Sequence, residues 1–493
     1  MKSKFTPTKE QQEIVEAFKT NHTLKINAVA GSGKSSTLKL LADDNNEPSL
    51  YVCFNKQNAV EASEKFPSHT TCKTMHSLAY AKFGKHLTHK LNTKDYTYVN
   101  RGRTAKEIES LYNIEDLVLG KQSLSARVIA SLAKRTVEIY QNKVDDNIDE
   151  SHVPKFELYK QMESLGIVCG VDKVVEVIAF YANKLWMDKV DLKSPVKCDH
   201  DTYQKLFQLS KPKLPYKIIY LDEAQDSSPV VLDIIKQQKD CKKVYVGDTY
   251  QSIYAFRQAV NAMELVKAPT MLLSKSFRYG QEIADVASFI INHEIDVKGF
   301  EKIKSVVKET NREDKPKQYS KVFRTNGSLL YEAVDLIEKG LKVKCEIDPY
   351  KFKSMIMSAQ ALKDCDFKSI KDDEVAMYQN WSDFESEDDP EIKRLVSIVN
   401  TYQTYKYVNA LDQMIKDRSK GVKNYDVLLT TAHKSKGMEW DIVEIANDFN
   451  FDAIFDTDKI DQQEVNLFYV ACTRAIKELH LPKSFYDEYK GEV

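Results

Sequence analysis

The chain has 493 residues, beyond the roughly 250 to 300 at which one hydrophobic core stops growing, so at least two domains are expected. With 42% hydrophobic and 29% charged residues it has the composition of a soluble globular protein, and 72 Lys plus Arg against 73 Asp plus Glu give no charge-based reason to expect nucleic acid, a membrane or an acidic partner. Eight scattered cysteines without a CxxC pair argue against a zinc module or disulfide framework, and no apolar stretch reaches signal-peptide or membrane-spanning length, so a cytoplasmic, non-membrane protein with reduced thiols is expected.

In chain order, the first elements are short apolar blocks: LKINA (24–28), SLYVCF (49–54), KIIYLDE (217–223), KKVYVGD (242–248) and TMLLS (270–274). Helical patterns lie between several of them, which predicts a parallel sheet with crossover helices. The gap between the second and third blocks is too long for one crossover. Residues 91–205, polar and helical in pattern with few glycines, therefore read as a helical insertion.

A second series follows: YSKVFR (319–324), the helix-like GSLLYEAVDLIEKG (327–340), KVKCEI (342–347), DVLLTTAH (426–433), DIVEIAN (441–447) and ELHLP (478–482). The expectation is an α/β protein with two parallel-sheet domains, the first at residues 1–90 and 206–280 and the second at 281–349 and 425–493. The second carries its own small insertion, 350–424. Within it the acidic DFESEDDPE (383–391) is expected as a solvated loop or helix start, and KETNREDKPK (308–317) as a surface loop.

The first chemical signal is NAVAGSGKSSTL (27–38), a strand, a glycine-containing loop and then Lys-Ser opening a helix. In such a P-loop, backbone N–H groups along Ala30, Gly31, Ser32 and Gly33 and the helix N-terminus at Ser35 and Ser36 face a phosphate chain. Lys34 places its ammonium on the β and γ oxygens, and the Ser35 hydroxyl can ligate Mg²⁺. Ala28 replaces the first glycine of the general pattern.

The second signal is LDEAQD (221–226), an apolar strand delivering two carboxylates at its carboxyl end. A P-loop ATPase needs them there: Asp222 to hold Mg²⁺ and Glu223 to orient and deprotonate the attacking water.

DEAQD, VGDTYQSIYAFR (246–257) and TAHKSKGMEW (431–440) resemble the superfamily 1 DNA helicases of the UvrD, Rep and PcrA type. In wording, GDTYQSIYAFRQAVNAM and SFRYGQEIA are nearest to the F-box DNA helicase branch, without a separate F-box region. The resemblance runs from about residue 5 to 476, with the motifs in family order. It implies two RecA-like domains with ATP between them and single-stranded DNA across both.

By that resemblance Gln11 reads the adenine edge, Phe277 stacks on the adenine, Arg278 reaches the γ-phosphate and Gln251 senses it. Glu439 contacts the ribose. Arg474, in YVACTRA, matches an arginine finger from the second domain, a device worth about 10³ to 10⁵ in rate. For the DNA strand, the matching positions are Phe54, Thr74, His76, Tyr254, Phe256, Arg257, Arg324 and His433. Phe256 stands where relatives usually carry Trp. The expected activity is ATP-dependent 3′ to 5′ DNA unwinding, with a protein-stripping single-strand translocase as the alternative. ATP and Mg²⁺ are the expected cofactors; single-stranded DNA, single-strand/duplex junctions and replication or recombination proteins are the expected partners of a monomer.

Overall fold

The computed structural model describes residues 6–91, 102, 104–254, 260–310, 318–378, 380–387, 389–419, 424–455 and 460–491. Two six-stranded, all-parallel sheets organise it. The first runs in the order Thr70–Thr74, Ser49–Cys53, Ile218–Leu221, Lys242–Gly247, Thr23–Ala28, Thr270–Leu273. Its central strands are buried almost throughout: every residue of Ser49–Cys53 and Ile218–Leu221 is covered, as expected of a sheet packed on both faces. In register, Leu24 pairs Val244 and Ile26 pairs Val246, so the P-loop strand ends level with the strand that delivers Asp248.

The second sheet runs Val343–Cys345, Val427–Thr431, Tyr319–Phe323, Trp440–Ile445, Ala475–Leu481, Val306–Glu309. Each apolar block read from the sequence is a strand. Thr70–Thr74 and Val306–Glu309, which the reading did not identify, are both edge strands with exposed positions. KETNREDKPK, expected as a loop, begins inside one of these: Lys308 and Glu309 are ladder residues paired with His480 and Leu481, and residues 311–317 lie outside the described set.

Between the second and third strands of the first sheet, the chain builds a helical body. Helix Ala126–Asn142, capped by Ser125, buries Ile129, Leu132, Ala133, Val137 and Tyr140 along one stripe. It packs against Val171–Val190 through Val174, Ile178, Ala182 and Leu185. Each of the Val, Leu and Ile side chains contributes about 1.5–3 kcal/mol on burial. A short antiparallel hairpin, Leu117–Leu119 with Gln122–Leu124, also belongs to this body.

Residues of the second insertion sit on the second sheet: Phe352, Met355, Ile356, Tyr407 and Leu411 share a core with Tyr319, Phe323 and Val427. The same insertion reaches the helical body, where Lys134 pairs with Asp373 at 2.7 Å and Lys160 pairs with Glu387. DFESEDDPE is thus only partly solvated. Asp389 caps helix Pro390–Asn400, while Glu387 is buried and accepts a hydrogen bond from the Tyr378 hydroxyl at 2.9 Å.

The two sheet domains meet in one continuous core. Val29, Ala30, Tyr250, Ile253 and Tyr279 from the first lobe pack with Phe468, Tyr469 and Val470 of helix Gln462–Cys472 from the second. Among the described residues no helix is long and apolar enough to cross a membrane.

Candidate nucleotide cleft and strand groove

The loop after Thr23–Ala28 turns back on itself through Ser32 N–H donating to Val29 O, and Gly31 O accepts from Phe277 N–H at 2.8 Å. Gly31 and Gly33 have φ of +74° and +81°, a left-handed backbone that side chains rarely adopt, and a Cβ on Gly31 would stand 2.6 Å from that of Arg278. Helix Lys34–Asp43 then begins with no acidic residue in its first turn and no side-chain cap. Its free N–H groups and positive dipole end stay available to an anion. The Ser32 hydroxyl is buried without a hydrogen-bond partner among the described residues, a polar atom inside the same loop. Ser35 and Ser36 are exposed at the helix start, and Ala30 N–H donates to Tyr469 Oη at 3.4 Å.

Lys34 Nζ donates to Glu223 Oε2 at 2.9 Å rather than standing alone. Asp222 Oδ2 accepts from the Tyr51 hydroxyl and lies 3.4 Å from Ser35 Oγ. Burial and the adjacent Glu223 charge raise the Asp222 carboxyl above its usual range. Burial pushes Glu223 the same way, but Lys34 and Lys436 outweigh it and hold its pKa at about 2. Glu223 is also in the left-handed region, φ 51°. A non-glycine residue held there stores on the order of 1–3 kcal/mol, of the kind that gathers at functional sites.

A hydroxyl and a carboxylate at 3.4 Å are hard oxygen donors. Among the described residues no group of three or more His, Cys, Asp or Glu could cage a metal alone. The Ser35 hydroxyl and Asp222 carboxylate suit a hard divalent cation that keeps several waters and takes further ligands from phosphates.

The residues expected at the adenine converge as well. Gln11 is buried, its Oε1 accepting from Thr8 N–H and its Nε2 donating to Thr37 Oγ1, both at 3.0 Å. Both Gln11 Nε2 and the Phe277 ring lie within 3.8 Å of where a Gly33 Cβ would be. The neighbouring Gln12 is exposed, and its Nε2 donates to Pro7 O. Phe277 packs edge-on to Phe300, 5.4 Å between centroids.

From the other side of the cleft, Arg474 is 1% exposed. Its Nη2 donates to Gln251 Oε1 at 3.3 Å, its Nε to Val470 O and its Nη1 to Met438 O. Burial, then the neighbouring Arg278, lower its pKa to about 9, still cationic at neutral pH. Gln251 in turn donates to Asp248 Oδ2 at 2.6 Å. Arg278 spans the lobes too, donating to Glu439 Oε2 at 2.8 Å and Thr473 O at 2.9 Å. Glu439, expected at a ribose, is thus the ion-pair partner of Arg278.

The strand candidates divide. Phe54 is 54% exposed and lies parallel to Tyr254, 6.0 Å between centroids and 6° between planes. Tyr254 Oη donates to His433 O, and the two rings are 6.2 Å apart. Phe54, Tyr254 and His76 line a cavity of about 1090 Å³ that also reaches Asp222, Glu223, Lys134 and Asp373. His76 meets Asp201 at 3.2 Å. Thr74 is committed elsewhere: its hydroxyl caps helix Met75–Lys82. Arg324 is likewise committed, holding Glu464 through three hydrogen bonds of 2.6–2.9 Å. Phe256 and Arg257 lie outside the described residues.

Three site residues were not singled out from the sequence. Tyr469 donates to Asp248 across the cleft. Gln225 donates to Glu223 at 2.6 Å. Lys436 donates to Asp226 Oδ2 and Gln251 O. All three lie within the quoted motifs, Gln225 in DEAQD, Lys436 in TAHKSKGMEW and Tyr469 as the first residue of YVACTRA.

A phosphate loop and strand-end carboxylates in one parallel-sheet lobe, faced by a buried arginine from another, define a two-lobed P-loop protein. The family model for the UvrD/REP helicase N-terminal domain matches residues 7–268, and that for the UvrD-like helicase C-terminal domain matches 426–481. The chain therefore belongs to the UvrD/REP helicase family. It is 30% identical, over 97% of its length, to F-box DNA helicase 1 of Gallus gallus, 49% of which is covered. With F-box DNA helicase protein 1 of Schizosaccharomyces pombe the identity is 27%, covering 96% of this chain and 57% of the relative. The chain thus spans about half the length of the curated relatives it matches.

Proposed function

We propose that this chain is an ATP-dependent DNA helicase that moves 3′ to 5′ along single-stranded DNA and unwinds duplex. The observation that carries the reading is Arg474 of the second lobe hydrogen-bonded to Gln251 of the first, beside the loop of Lys34. ATP occupies this cleft, its phosphates on residues 30–36, with Gln11 and Phe277 at the base. Ser35 and Asp222 would hold Mg²⁺, which when bound would neutralise phosphate charge.

The side chains then exchange partners. Lys34 leaves Glu223 for the phosphate oxygens. Glu223, half-buried and without Lys34 beside it, becomes a stronger proton acceptor and can take a proton from the attacking water. Arg474 and Arg278, both reaching over from or toward the second lobe, neutralise charge developing on the transferred phosphoryl group. Turnover therefore depends on the lobes being together, and reopening them after hydrolysis moves the strand held by Phe54 and Tyr254.

The test is ATP turnover with single-stranded DNA, duplex DNA, single-stranded RNA or nothing, alongside strand displacement from 3′- and 5′-tailed duplexes. Stimulation by single-stranded DNA with displacement only from the 3′ tail is expected; turnover indifferent to DNA would refute the reading. A translocase that strips proteins without unwinding is favoured by one observation: the small second insertion is tied back to the helical body by Lys134–Asp373 and Lys160–Glu387. Strand stimulation without displacement would select it.

A further inference from the structure

We infer that Lys436 and Asp226 form the inter-lobe link through which an occupied strand groove sets the position of Glu223; the inference rests on the proposed strand-stimulated ATPase. Lys436 follows helix Ala432–Ser435 in the second lobe, yet its ammonium is spent entirely on the first. It donates to Asp226 Oδ2 and to the carbonyl of Gln251, and it sits 5.2 Å over the ring of Tyr254.

From Asp226 the contacts continue inward. Gln225 Nε2 lies between two carboxylates, 3.2 Å from Asp226 Oδ2 and 2.6 Å from Glu223 Oε2, and Glu223 meets Lys34 at 2.9 Å. One unbroken series of polar contacts thus runs from the groove ring Tyr254 to the phosphate-loop lysine, and Lys436 is its sole member from the second lobe.

Stability alone is a weak reason for such a pair. The Lys436 and Asp226 side chains are 10% and 2% exposed. Desolvating both ions costs about as much as their attraction returns, so a buried pair is weak evidence of stabilisation, and fixing register is its best-attested use. Asp226 also keeps Oδ1 buried without a hydrogen-bond partner among the described residues, which leaves the carboxylate an alternative orientation. A base stacked on Tyr254 shifts the ring beneath the ammonium. The same ammonium fixes Asp226 and the backbone of Gln251, so the shift reaches both the carboxylate cluster and the γ-phosphate sensor. Lys436 and Asp226 are positioning residues in this account; neither touches the reacting atoms.

The experiment compares wild type, Lys436→Met, Lys436→Arg and Asp226→Asn for the ratio of ATP turnover with and without oligo(dT), and for oligo(dT) affinity by fluorescence anisotropy. Lys436→Met is expected to lower the ratio about 5- to 30-fold, the range of measured couplings between sites. Oligo(dT) affinity should change by less than that factor, and Lys436→Arg should recover most of the ratio. Asp226→Asn, which reads the same link should Lys436→Met not fold, should lower the ratio alike, and combining the two should add nothing. An unchanged ratio in either single variant, or a ratio lost only in step with affinity, would overturn the inference. A wild type indifferent to oligo(dT) would instead refute the proposed function on which it rests.

Discussion

The nucleotide cleft and the strand groove, side by side, show how differently two sites of one protein are built. In the cleft the charged and amide side chains are paired with one another, Lys34 with Glu223, Gln251 with Asp248 and Arg474, Arg278 with Glu439, and all of these but Glu439 are buried or half-buried. In the groove the rings of Phe54 and Tyr254 lie exposed or half-buried and parallel, while the polar candidates Thr74 and Arg324 serve a helix cap and an ion pair. Phosphoryl chemistry needs charges at fixed positions, so the cleft is pre-organised. A base offers a flat face, and rings with open sides suffice to receive it.

The comparison can be broken in order of effect. Lys34→Ala should abolish ATP turnover while leaving single-strand affinity largely intact; equal loss of both would mean the two sites are not separable. Tyr254→Ala should weaken oligo(dT) binding by about 1–3 kcal/mol, the range for loss of one stacking platform, with smaller loss of basal turnover; anisotropy titration reads it.

The Asp226 carboxyl, raised by burial to about 6 from an ordinary 3.8, is the pH-dependent feature. Its folded form holds the proton more tightly than the unfolded chain, so its unfavourable contribution is absent below about pH 3.8 and grows until about pH 6. Wild type should therefore lose up to about 3 kcal/mol of unfolding free energy relative to Asp226→Asn over that window, read from urea midpoints; a difference independent of pH would contradict the burial argument. Thr74→Ala should cost about 1 kcal/mol of stability as a lost cap, with oligo(dT) affinity unchanged; weaker binding at unchanged stability would return Thr74 to the groove.

The α/β class and both parallel sheets were legible because buried parallel strands such as IIYL and the VLL of VLLTT are short runs of apolar residues. The edge strands were not: in TTCKT only Cys72 is apolar, as suits a strand with one edge open to solvent. The candidates Lys34, Asp222, Glu223 and Arg474, which the fold brings to one cleft, could be picked out because a phosphate site fixes their spacing to strands and loops. Partner choice was not. Nothing local distinguishes Arg324, which holds a glutamate 140 residues away, from an arginine on a phosphate. Nor does the sequence show that Glu387 is buried beneath Lys160, or that Lys436 crosses between lobes, since long-range pairing is decided by the assembled fold.

The central claim is that ATP is cleaved between the lobes with help from an arginine of the lobe opposite the phosphate loop. Single-turnover hydrolysis by Arg474→Ala, with oligo(dT) saturating and ATP binding measured in parallel, tests it most directly. A fall of about 10³ to 10⁵ in the rate with ATP still bound is predicted; a rate within a few-fold of wild type would contradict the account.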